Sequence, residues 1–80
     1  MIMVKFAQGT TERQAADIEN FLVKEFGDEI EEIYPSIERN SNLYCLEIDS
    51  YTLEADEIKK AIAYNSTVKI SDIYEVGVNL

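Results

Sequence analysis

The sequence predicts an α+β domain with the element order β-α-β-β-α-β: a four-stranded antiparallel sheet with two helices on one face. Two stretches repeat apolar residues at three- and four-residue steps behind a capping residue, which is the pattern of an amphipathic helix. Four short stretches alternate apolar and polar residues with a period of two, which is the pattern of a strand with one buried face. Turn-forming residues separate them. No Pro- or Gly-rich linker, repeat or low-complexity segment intervenes, so residues 1–80 read as a single domain.

Ile2–Ala7 opens the chain as a strand, with Ile2, Val4 and Phe6 on one face and Met3, Lys5 and Ala7 on the other. Gln8-Gly9-Thr10 breaks it. Thr11–Phe26 is the clearest helix. Thr11 and Gln14 have the spacing of a capping box, and Ala15, Ile18, Leu22 and Phe26 form one apolar stripe. Gly27 is suited to the left-handed residue that closes a helix. Ile33, Pro35 and Ile37 then alternate with Tyr34, Ser36 and Glu38. Pro35 has no amide to donate, so this strand belongs at a sheet edge.

Asn40-Ser41-Asn42 reads as a hairpin turn into Leu43–Asp49. In that strand Tyr44, Leu46 and Ile48 share one face, and Leu43, Cys45 and Glu47 the other. Thr52 is placed to cap a second helix with the stripe Ala55, Ile58, Ala61 and Ile62, and Asp56 and Lys60 have i,i+4 spacing. Asn65-Ser66-Thr67 ends it. The last strand, Val68–Val78, keeps its parity except at Asp72, which predicts a bulge near Ser71-Asp72.

This element order resembles the ferredoxin-like superfold over the whole chain, and the usual strand order 4-1-3-2 of that fold puts the Pro35 strand at an edge. A superfold hosts many functions, so each has to be argued from residues. RNA-recognition domains resemble the chain in topology, but they stack bases on aromatics within a basic frame; here the matching strand is LYCLEID. Heavy-metal-binding domains of this fold carry Cys-x-x-Cys after the first strand, where this chain has AQGTT. With one cysteine and no histidine, neither a metal site nor a cofactor is expected. Cys45 reads as a small apolar residue of the sheet. Amino-acid-sensing regulatory domains also resemble the chain. That resemblance implies a ligand site at Gly9, Thr10 and Thr11, where helix amides could hold an anion.

The charge is the compositional outlier: 16 acids against 7 bases give a net charge of −9. Nucleic acid and anionic membrane both require cations, so the chain is expected to bind neither directly. No apolar run reaches the roughly 20 residues of a membrane span. MIMVKFA is too short and too poorly flanked for a secretory signal, so a cytoplasmic protein is expected. Nucleophilic catalysis wants an activated nucleophile beside a base, and no pair here has specific spacing, so the expectation is a protein that is not an enzyme.

The element order sharpens the charge reading. Asp28, Glu29, Glu31 and Glu32 follow the first helix; Asp49 ends the third strand; Glu54, Asp56 and Glu57 begin the second helix. These 8 of the 16 acids converge on one pole, while Arg13, Arg39 and Lys69 lie at the other. Acids at a helix start are stabilising without any partner, but the helix dipole does not account for Glu31 and Glu32. The expected function is a small acidic regulator or inhibitor, of the kind that includes phage-type inhibitors, docking a basic and even nucleic-acid-binding protein. The alternative is the ligand-sensing domain, homodimeric. The sheet face away from the helices, with Met3, Leu43, Cys45, Ile73 and Tyr34, reads as apolar enough to support a symmetric homodimer, as would an edge strand.

Overall fold

The computed structural model describes residues 1–77. Seven elements follow in order: β1 (Ile2–Phe6), α1 (Glu12–Phe26), a short 3-10 turn (Gly27–Glu29), β2 (Glu32–Ile37), β3 (Tyr44–Asp49), α2 (Ala55–Asn65) and β4 (Ile70–Glu75). The strands form one sheet in the order β2-β3-β1-β4, and every neighbouring pair is antiparallel. One core joins Ile2, Val4 and Phe6 of β1 and Leu46 and Ile48 of β3 to Ala15, Ile18 and Leu22 of α1 and Ile58 and Ile62 of α2. Both helices therefore cover the same face of the sheet. Leu53, just before α2, closes this core beneath the loop that follows β3.

The sequence patterns account for most of this. In α1, Thr11 Oγ1 accepts the Gln14 amide at 3.1 Å and Gln14 Oε1 accepts the Thr11 amide at 2.9 Å, which is the expected capping box. Gly27 does not take the left-handed conformation expected of it. Its φ of −51° continues right-handed into the 3-10 turn, which closes when the Ile30 amide donates to Phe26 O and Gly27 O. Among the described residues the left-handed ones are Gly9 (φ 92°) and Asn42 (φ 56°), each in a tight turn.

Pro35 sits on an edge strand, as its missing amide requires. The Glu38 amide donates to Leu43 O, so the alternation of an antiparallel ladder turns the backbone groups of Pro35 away from β3, toward the open edge.

The bulge expected near Ser71-Asp72 is present. Phe6 pairs with Ile70, but Lys5 pairs with Asp72, leaving Ser71 unmatched. The extra residue reverses the parity of the rest of β4. Ile73 lies opposite Val4 and packs on the core, while Asp72 and Tyr74 take the other face. The expectation that Ile73 lies on the face away from the helices is thereby corrected. β4 is also shorter than the Val68–Val78 strand expected, and Val78 lies outside the described residues.

Candidate functional site

The end of the sheet where β3 and β4 finish and β1 begins carries the acids. Its scaffold is a set of bonds between the segment after α1 and the segment after β3. The Glu31 amide donates to Asp49 O at 2.8 Å, and Glu32 pairs with Asp49 as the first rung of β2 and β3. Ser50 Oγ donates to Glu29 O at 2.6 Å and accepts the amides of Thr52 and Leu53 at 3.2 and 3.0 Å. Thr52 Oγ1 donates to the Glu29 carboxylate at 3.1 Å. This corrects the expectation that Thr52 caps α2: the cap residue is Glu54, whose amide donates to the Glu57 carboxylate at 3.2 Å. The dipole of α2 offsets part of the charge of Glu54, Asp56 and Glu57.

Asp28, Glu29, Glu31, Glu32, Asp49, Glu54 and Glu57 thus stand at one end, on segments tied together by neutral hydroxyls and backbone amides. Asp56 is also there, but its carboxylate is turned to Lys60 at 3.0 Å, the i,i+4 pair the spacing predicts. Glu75, opposite Ile2 at the end of β4, is a ninth acid at this end. Sequence reading missed it because the longer strand expected, Val68–Val78, carried β4 past it. Tyr51 was missed as well. Its ring is 92 % exposed and lines a depression of about 520 Å³ together with Glu31, Glu32, Asp49 and Ser50. The available signal was its place between Ser50 and Thr52, outside every apolar stripe. An exposed ring among carboxylates presents a π-face and anionic neighbours to the same incoming cation.

The alternative site at Gly9, Thr10 and Thr11 is accounted for by chain geometry. Gly9 supplies a left-handed turn, and a Cβ placed there would meet nothing within 4 Å. The Thr10 amide donates to Ala7 O, and the Thr11 hydroxyl and amide are both spent in the capping box. Arg13, Arg39 and Lys69 lie at this opposite end, on the start of α1, the β2–β3 turn and the segment just before β4.

The face away from the helices is more polar than expected. The register sets Tyr34, Glu47, Met3 and Tyr74 in one row and Ser36, Cys45, Lys5 and Asp72 in the next. Lys5 Nζ pairs with Glu38 at 2.7 Å and lies 5.5 Å from the centre of the Tyr74 ring. The hydrogen bond from Lys5, and a second from Ser41, hold the Glu38 carboxyl below its usual range; the same bond pushes Lys5 up. Tyr34 donates to Glu47 at 3.3 Å, and the charge of Glu47 raises the phenol. Burial raises the Cys45 thiol, which keeps it protonated and unreactive.

Among the described residues no helix is long and apolar enough to cross a membrane, and no cluster of His, Cys, Asp or Glu is arranged to hold a metal ion. Comparison with models of known families, with curated proteins and with solved structures finds no match to this chain.

Proposed function

We propose that the chain is a ferredoxin-like, non-enzymatic protein-binding domain that regulates or inhibits a basic partner through its acidic end. The strand order, read from the β4 edge as 4-1-3-2, supports the ferredoxin-like assignment. One observation carries the docking reading. Ser50 and Thr52 tie the Glu29 segment to the segment after β3, so the segments that carry the carboxylates are held together with the exposed Tyr51 ring among them. Glu31 and Glu32 are exposed and enter no ion pair among the described residues. A concentrated anionic surface speeds encounter with a basic one and selects against acidic ones. A basic protein that grips phosphate presents such a surface.

The test uses the whole chain as bait in nuclease-treated lysate of its native host, with washes at low and high salt. A basic protein retained at low salt and shed at high salt is then purified and titrated against the wild-type chain and against Glu31→Lys/Glu32→Lys/Asp49→Lys. Glu29 is left intact because its carboxylate holds Thr52. The triple variant is expected to weaken binding by roughly 100-fold or more, as close charge pairs at interfaces do. Undiminished binding by that variant would discard the acidic end as the docking surface.

A further inference from the structure

A second surface, remote from the acidic end, combines charge with an apolar floor. Between α1 and the overhanging edge of β2 runs a groove of about 420 Å³, floored by Ala16, Pro35, Ile37 and Tyr44 and flanked by Glu12 and Glu19. Pro35, Ile37 and Tyr44 lie opposite or alongside core-facing residues, so their side chains stand on the helix side of the sheet. Pro35 and Ile37 are left exposed there, and Tyr44 is half-buried. Ile37 is 56 % exposed, more than any other large aliphatic side chain among the described residues. Glu12 and Glu19 enter no ion pair among those residues. Exposed apolar surface that adjoins unpaired charge is the composition of an interface, in which an apolar anchor supplies affinity and the rim supplies register.

We infer that this groove binds an extended segment of another protein with the pattern basic–x–aliphatic–x–basic. The spacing follows from the helix. Glu12 and Glu19 are seven residues apart, which places them about 10 Å apart along α1. In an extended segment, alternate side chains share a face and residues four apart span about 13 Å, a difference that flexible Lys or Arg side chains close. The residue midway between the two cations faces the same way and meets Ile37 and Pro35. The segment lies in the groove rather than joining the sheet, because Pro35 offers no amide at the outward edge of β2. A second copy of this chain is a poor occupant, since each copy carries a net charge of −9. The inference is independent of the acidic end, which shares none of these residues.

The probe is the synthetic peptide acetyl-GSKTLTKSG-amide, titrated into the isotope-labelled whole chain and followed by amide chemical shifts. Saturating shifts are expected at Ala16, Ile37 and Tyr44. Ile37→Asp and Glu12→Lys/Glu19→Lys are each expected to weaken binding by roughly tenfold or more, whereas Glu31→Lys/Glu32→Lys leaves the mapped site unchanged. Ala16→Arg, which fills the groove from an exposed helix position, gives the same loss without touching the core. A peptide with serine in place of its leucine is expected to lose most of the shifts. Shifts confined to Glu29–Glu32 and Asp49–Glu57 would overturn the inference. So would an absence of saturation at millimolar peptide, or shifts that depend on protein concentration alone and so report a second copy in the groove.

Discussion

The two ends of the sheet are built from similar parts and carry opposite burdens. Each holds one terminus of each helix; the Gly9 end gathers three chain connections and the acidic end two. At the Gly9 end, local devices suffice: a left-handed glycine, a capping box and a hairpin turn closed by Asn42. The acidic end concentrates like charge, and there long-range side-chain bonds from Ser50 and Thr52 to Glu29 join its two connections. The bonds that join the Glu29 segment to the Ser50–Thr52 segment come from hydroxyls and backbone amides, not from side-chain cations that would neutralise the carboxylates. Cohesion and charge are therefore separable here, and substitutions can remove one and leave the other.

The largest effect falls where the acidic end meets the core. Leu53 is buried beneath it, and Leu53→Ala is expected to cost about 2–5 kcal/mol, read from denaturant unfolding, because the cavity cannot refill. Ser50→Ala comes next. It removes a donor to Glu29 O and the acceptor for two amides, at a cost of about 1–2 kcal/mol. Hydrogen exchange should rise at Thr52 and Leu53 and stay unchanged at the Gly9 end; a uniform rise would mean that the two ends are not independent. Thr11→Ala is the matching cut at the other end. Losing the cap is worth about 1 kcal/mol, with faster exchange confined to the first turn of α1.

The smallest effect is one of pH. Glu38 is held below its usual range, so its contribution is present at neutral pH and lost as pH falls through its folded value. Lys5 is pushed up, so its contribution is present below the usual lysine range and lost as pH rises through its folded value. Lys5→Met is expected to flatten the stability profile on both flanks, measured by urea unfolding across pH. An unchanged acid flank would show that Lys5 does not hold Glu38.

Much of this was legible in the residues because the signals were local. The Thr11–Gln14 box, the i,i+4 pair of Asp56 and Lys60, the edge position of Pro35 and the bulge at Ser71 each depend on a few neighbouring positions. The convergence of the eight acids followed from element order alone. What escaped depended on geometry between elements. Thr52 had the composition of a cap, but α2 starts later, behind Glu54, and the Thr52 hydroxyl donates to Glu29 across the gap. Gly27 had the freedom to turn left-handed, but the chain needed only a tighter right-handed turn to reach β2. Ile73 changed faces because one extra residue upstream reverses every side chain after it. The groove beside Ile37 was invisible because the spacing between α1 and the edge strand is not written in either periodicity.

Pro35 has a further consequence for how copies of this chain can meet. A sheet grows at its edges, and here the β2 edge lacks the donor at its middle that a new strand would need. Strand addition is left to β4. Two copies joined β4 to β4 would expose a Pro35 edge at each end, so propagation would stop there. The same residue that fixes which strand lies outermost also terminates fibril-like polymerisation.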